Sequence, residues 1–233
     1  MFRQLAKWLL TYDLETDRLR RIFARWSLEP VRLKVLDVGS GYGRNLKLLR
    51  DLGCNVVGVE VNQSCIEALQ ANGHACIRPE ELGAGRGKFD VVVMAHIIEH
   101  FAPPDLFQMM DTYLDHLRPK GKLVVMTPLL SPYFYDDFDH VKPYHPTGLL
   151  MVFGRGAAQV QYRSRNQLEL EDIWFRHTHY KPTLVRSIII GTPARHLFVV
   201  FELASVVLFR LSGNRFGRKD GWIGVFRKLD ADP

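Results

Sequence analysis

Cysteine is scarce, with Cys54, Cys65 and Cys76 the whole complement of a 233-residue chain. An odd number with no C-x-x-C spacing excludes a disulfide framework and a thiolate zinc centre, so the three read as small buried residues in a reducing cytosol. No uninterrupted apolar run reaches 18 residues, and none therefore reads as a membrane-spanning helix. The opening ten residues have too short an apolar core, and no small-residue cleavage site, for a secretory signal. Internal repeats and low-complexity tracts are also missing. A chain with 24% charged and 47% hydrophobic residues is not a disordered one. Its length suits one large α/β domain over residues 1–233, located in the cytoplasm.

Charge of one sign does not dominate, but it is unevenly placed. Residues 1–34 and 186–233 each carry 8 Lys/Arg against 4 Asp/Glu, within a net charge of +6. Basic ends around a near-neutral middle suit a phosphate-bearing substrate, an anionic membrane surface or RNA; a solvated face is the plain alternative.

What is present in quantity is alternation. Apolar residues at three- and four-residue spacings predict helices over 2–11 and 15–27, a cap occupying residues 1–29. Strands then alternate with helices. The strands are expected at 33–38, 56–61, 75–77, 89–95 and 123–127, with helices at 44–52, 63–72 and 103–117. That order implies right-handed crossovers, a doubly wound, mostly parallel sheet covered on both faces, and a ligand beyond the carboxyl ends of the strands. After the 30–130 core, residues 129–146 read as a long loop over a site and 147–156 as a short helix. A strand at 167–178, a helical insertion at 194–211 and a last strand at 221–226 complete a seven-stranded sheet.

The first strand ends in Asp37-Val-Gly39-Ser40-Gly41-Tyr-Gly43, and the second runs into Glu60-Val61. Glycines at these spacings allow tight turning and leave room for a ligand against the main chain. A carboxylate at a strand end can accept two ribose hydroxyls. The dinucleotide fingerprint would need Gly or Ala at position 44, where this chain has Arg.

These residues resemble the class I S-adenosylmethionine (SAM)-dependent methyltransferase family, over about residues 30–130. The resemblance implies SAM as cofactor, held by Asp37, Gly39, Ser40, Gly41, Gly43, Glu60 and Val61. It places Ala95 and His96, in Phe89-Asp-Val-Val-Val-Met-Ala-His-Ile-Ile-Glu-His100, against the methionine part of SAM. Where many relatives carry an adenine-binding Asp this chain has Arg78, so Glu80, Glu81 or a backbone carbonyl must accept from the adenine amino group. The Asn-Pro-Pro-Tyr signature of amino-methylating nucleic-acid enzymes is missing after the fourth strand, and nucleic acid is not the expected partner.

Methyl transfer to a hydroxyl needs a group that takes the proton. Asp136-Asp-Phe-Asp-His-Val-Lys-Pro-Tyr-His-Pro146 gathers acids, imidazoles and a phenol where the methyl acceptor should sit. It resembles a stretch of bacterial relatives tied to envelope glycan or lipid biosynthesis. His140 is the expected base, with Asp137 or Asp139 setting its tautomer; His145, Tyr144, His96 and His100 are the other candidates. No metal ligand set is expected. The expected reaction is O-methylation of a small, lipid-linked or sugar molecule, against two competitors: an RNA methyltransferase and a SAM-binding regulator without turnover. The helix at 194–211 has a wide apolar face and a basic flank reaching residue 219. It is expected to pack on the domain, to form a homodimer contact or to lie on the inner face of a membrane.

Overall fold

The computed structural model describes residues 13–26, 32–83, 87–156, 159–181 and 194–230. The helix expected at 2–11 lies outside the described residues. Six helices and seven strands follow in chain order: α1 (Leu14–Trp26), β1 (Lys34–Val38), α2 (Arg44–Asp51), β2 (Asn55–Val59), α3 (Gln63–Ala71), β3 (Cys76–Ile77), β4 (Phe89–Ala95), α4 (Pro103–His116), β5 (Leu117–Pro128), α5 (Pro146–Phe153), β6 (Leu168–Thr178), α6 (Ala194–Leu211) and β7 (Arg218–Lys228). Short 3₁₀ turns occur at Pro79–Leu82, Ile98–His100 and Phe134–Asp136.

The strands form one sheet in the order β3-β2-β1-β4-β5-β7-β6. The first five are parallel neighbours, while β7 runs antiparallel to both β5 and β6. Strand period two sends alternate residues to opposite faces, and here both faces are apolar. Leu36, Val38, Val92 and Met94 meet Leu106, Met110 and Leu114 of α4 on one side. Val35, Val91 and Val93 meet Leu46 and Leu49 of α2, and Leu19, Ile22 and Phe23 of α1, on the other. Coverage on both faces explains why these strands read as continuous apolar runs.

The glycine turn after β1 depends on backbone freedom: Gly39, Gly41 and Gly43 all take positive φ (73°, 51° and 79°). The chain expected to be strand through Val61 leaves the sheet at Val59, because Glu60 turns back to bind the glycine turn.

α6 carries apolar residues on both its inner and its outer side. Its packed stripe is Ser205, Val206 and Phe209, with Glu202 turned toward His179 (3.4 Å), while Leu197, Val200, Phe201, Leu208 and Leu211 face outward at 51–74% exposure. Val206 and Phe209 thus share the inner side with Ser205, and a broad apolar face is left outside.

Candidate functional site

The direction of winding reverses between β1, which leads to β2, and β4, which lies on the other side of β1. Crevices form at such a switch point, beyond the strand ends. The glycine turn and His96 are both there, and a Cβ added to Gly39 would come within 2.7 Å of Ile97 Cδ1. At Gly41 such a Cβ would meet nothing within 4 Å and would instead stand in the crevice.

Asp37 occupies the floor. It is fully buried and neither carboxylate oxygen has a hydrogen-bond partner. Burial pushes its pKa up to about 7, although the nearby Asn45 side chain and Arg44 charge favour the ionised form; Glu60 opposes it. Asn45 is close enough to contribute but makes no hydrogen bond to Asp37 of acceptable geometry, its own Oδ1 being without a partner. A desolvated carboxylate beside an open turn suits a cationic ligand group.

Glu60 is engaged already. Its Oε2 accepts from Gly41 N–H (2.8 Å) and its Oε1 from Val61 and Asn62 N–H (2.8 and 2.9 Å). The carboxylate therefore fixes the turn to the start of α3, and it cannot take two further hydroxyls without loosening a backbone contact. Val61 follows it, apolar and 72% exposed. Ser40 does not face the crevice as expected: its hydroxyl is buried and donates toward Asp37 O and Val59 O (3.3 and 3.2 Å), which makes it a brace between β1 and β2. Glu80 is exposed on the 3₁₀ turn, and Arg78 binds Gln63 Oε1 (2.8 and 3.1 Å). Tyr113 connects this side electrostatically, its hydroxyl pushed up to about 12 by burial and then by the Glu80 and Glu60 charges.

His96 directly follows β4 and Ala95 with φ 53°, a strained setting for a residue bearing a Cβ. Three contacts hold it there: His96 N–H donates to Met126 O (2.8 Å), Nε2 meets Glu15 Oε2 (2.7 Å) and Nδ1 meets Glu99 Oε1 (3.3 Å). Burial works against its charge, but the two carboxylates outweigh it and raise the pKa to about 9. At neutral pH it is an imidazolium, not the free base considered from sequence. Burial likewise opposes ionisation of Glu15, yet His96, Arg176 (2.8 Å) and Arg44 (3.9 Å) hold its pKa below the usual value. Neither Glu15 nor Arg176 was legible as a site residue, because they come from α1 and β6. The signal for Glu15 was its four-residue spacing from Leu19, which puts a carboxylate on the buried stripe of α1.

The loop after β5 divides the remaining candidates. Backbone N–H groups of Val141 and Lys142 donate to Glu99 O (2.9 and 3.2 Å), which draws His140 against His100, with ring centroids 5.0 Å apart. His140 Nδ1 faces Phe134 O at 2.6 Å, so this carbonyl sets its tautomer rather than Asp137 or Asp139. Asp137 is an exposed neighbour, with Oδ2 3.7 Å from His140 Nε2. Tyr144 is not at the site. It is a core residue whose hydroxyl donates to Phe101 O (2.9 Å) and whose pKa burial pushes up to about 12. His145 is exposed at the start of α5 and pairs with Thr147 Oγ1 (2.8 Å), outside the group formed by Glu99, His100 and His140.

A profile of the family described as "Methyltransferase domain" matches residues 5–183. A ubiquinone biosynthesis O-methyltransferase of Bradyrhizobium diazoefficiens is 32% identical over 103 residues, which is 41% of this chain and 40% of that protein. Its counterpart from a Chelativorans species is 33% identical over the same length and shares. The matched stretch is thus about two-fifths of these curated relatives. The crystal structure of a SAM-dependent methyltransferase from Archaeoglobus fulgidus superposes with a TM-score of 0.55 at 20% identity, over 92% of this chain and 95% of that one.

Proposed function

We propose, from the premise that this chain belongs to the class I SAM-dependent methyltransferase family, that it transfers a methyl group from SAM to an oxygen of a small, lipid-linked molecule. The observation that carries the donor half is Asp37, a buried carboxylate with two unsatisfied oxygens beneath a turn of positive-φ glycines. SAM supplies, when bound, a methyl group on a positively charged sulfur. Asp37 would meet its ammonium, Gly39, Gly41 and Gly43 would let the main chain lie against it, and Glu60 with Val61 would flank the ribose and adenine, with Glu80 at the rim. Ala95 and the His96 imidazolium border the methionine end.

The chain's own part in the reaction is positioning and exclusion of water. The ion cluster of Glu15, His96, Glu99 and Arg176 ties α1, the end of β4 and β6 into one wall. The methyl acceptor would enter between this wall and the 129–146 loop. A hydroxyl acceptor would have to give up its proton there, and His140 of that loop would be the group to take it.

A lipid-linked acceptor is favoured over a free sugar by α6, whose outward face is apolar and which is followed by Arg215 in the next turn and by Arg218 and Lys219 at the start of β7. An amphipathic helix of this kind lies in a lipid interface, and basic residues near it favour anionic headgroups. No described helix is long and apolar enough to cross a membrane. We read the whole chain as a single domain that works at the cytoplasmic surface of a membrane.

The test joins binding with turnover. Calorimetry should show binding of S-adenosylhomocysteine (SAH) in the micromolar range, weakened about tenfold or more by Glu60→Ala, since a charge-assisted contact contributes roughly 1.5–3 kcal/mol. Tritiated methyl from SAM should enter a lipid fraction. Label in RNA, or SAH binding without transfer to lipid, glycan or RNA, would overturn the proposal.

A further inference from the structure

We infer that the pocket between α1, the end of β6 and the turn after α6 is a binding site for a phosphate or diphosphate group. Its role, which rests on the function proposed above, is to anchor a phosphate carried by the methyl acceptor. The pocket measures about 620 Å3, within the range of small-molecule sites. Arg18 and Arg21 line it from one side, three residues apart and so on one face of α1, while Arg210 and Arg215 line it from the other. The two basic ends of the sequence, residues 1–34 and 186–233, thus meet here, beside His177 of β6.

The balance of charge favours an anion. The acids of the pocket are Asp13 and Asp17. Asp13 is already engaged by Thr16 N–H and Oγ1 (3.0 and 2.6 Å) and by Arg44 (3.6 Å). Arg18 meets Asp172 through Nη2 (2.5 Å), yet its Nε is buried with no hydrogen-bond partner. Arg21 and Arg215 pair with no carboxylate among the described residues, and Arg210 is held in place by Asn214 Oδ1 (3.0 Å). A cleft with a surplus of guanidinium groups focuses their field on what enters it. Donors that converge from two helices and a turn suit the oxygens of a tetrahedral phosphate, spread in three dimensions, better than the two coplanar oxygens of a carboxylate.

The pocket lies at the same edge of the sheet as the crevice. Thr178 at the end of β6 pairs with Arg218, and Pro128 at the carboxyl end of β5 pairs with Gly221, so both strands finish at that edge. The start of α1 is a wall that the two share: Asp13 and Leu14 line the pocket, Glu15 holds His96, and Arg44, next to the glycine turn, reaches back to Asp13. A phosphate held by Arg21 and Arg215 therefore fixes its molecule beside the crevice without occupying it.

The full chain titrated with inorganic diphosphate in a calorimeter should show saturable binding of one equivalent. Arg21→Gln and Arg215→Gln alter exposed side chains and should each weaken it about tenfold, with melting temperature and SAH affinity nearly unchanged. Lys120→Gln, which removes an exposed charge near the start of β5 at the opposite edge of the sheet, should change it less than twofold. Absence of saturable binding, binding unaltered in both arginine variants, or an equal loss in Lys120→Gln would overturn the site. Phosphatidylcholine vesicles with and without phosphatidic acid separate the sources of the phosphate. Retention by the acidic vesicles that diphosphate displaces assigns the pocket to a lipid headgroup, and diphosphate binding without such displacement assigns it to a soluble phosphate. Methyl transfer to the lipid fraction left intact in both arginine variants would overturn the anchoring role. Diphosphate bound without any SAH affinity would sink the SAM reading and leave the pocket standing, and the reverse pattern would remove the pocket alone.

Discussion

The half of the crevice proposed to hold the methyl donor and the half proposed to hold the methyl acceptor are built by different means. The donor half, from β1 through α3, is contiguous in sequence, and its working parts are backbone: three positive-φ glycines, strand ends and the N–H groups that Glu60 gathers. The methyl-acceptor half is made of side chains brought from α1, β4, β6 and the 129–146 loop, and depends on ion pairs such as Glu15 with His96 and Arg176. Backbone turns dictated by residue type can tolerate few substitutes. Side-chain assemblies can change partners while the sheet beneath stays the same.

The sharpest way to break that contrast is at Asp37, the donor-side carboxylate that is fully buried and without a hydrogen-bond partner. Asp37→Asn should weaken SAH binding about tenfold or more at pH 8 by removing a charged partner. It should also stabilise the ligand-free fold. In the native state Asp37 keeps its proton up to about pH 7, against an ordinary value of 3.8, so the folded form binds more protons in that window. Unfolding free energy therefore falls as pH rises from about 4 to about 7, and the variant escapes this loss. Its melting temperature should exceed the parent's by a margin that grows from pH 5 to pH 8. The parent's SAH affinity should rise through pH 7 while the variant's stays flat. An equal margin at both pH values would put Asp37 in a more polar setting than its burial implies.

On the opposite half, α6 separates a lipid-facing surface from an ordinary exposed helix. Intact protein should co-sediment with vesicles containing anionic lipid and be released only in part by high salt, which screens Arg215, Arg218 and Lys219 but leaves apolar contact untouched. Leu197→Asp combined with Phe201→Asp should lower partitioning severalfold with the melting temperature nearly unchanged, as expected for outward-facing residues. Undiminished pelleting would move the contact away from α6.

The smallest effect is expected at Tyr144, where the contrast can be refined inside the loop itself. Tyr144→Phe removes a buried hydroxyl bonded to Phe101 O and should cost about 1 kcal/mol of stability, with transfer kept within twofold. A large loss of turnover at intact stability would return Tyr144 to the reacting centre.

The pattern of legibility follows the same division. The sequence pattern located β4 at Phe89–Ala95 and α6 at Ala194–Leu211 to the residue, because both carry long runs of apolar side chains at a clear period. It overran β2 by two residues, since Glu60 leaves the strand for the glycine turn. It counted Tyr144 as a reactive phenol and Ser40 as a cofactor contact, and the structure turns both hydroxyls to backbone carbonyls, because a polar residue in a functional-looking segment reads the same whether its hydroxyl faces a ligand or a backbone carbonyl. His145 was counted with His140 although the two end in different settings five residues apart.

By itself, the sequence determined the alternation of strand and helix, the doubly wound sheet and the donor turn. Each of those follows from local spacing, where apolar period and glycine φ leave few choices. Only the tertiary structure decided that Glu15 from α1 would clamp His96, that the Phe134 carbonyl would orient His140, and that α6 would turn its apolar face outward. Such choices depend on which distant groups share a desolvated space, and there the energy of a charge or lone pair is set by its neighbours in three dimensions rather than along the chain.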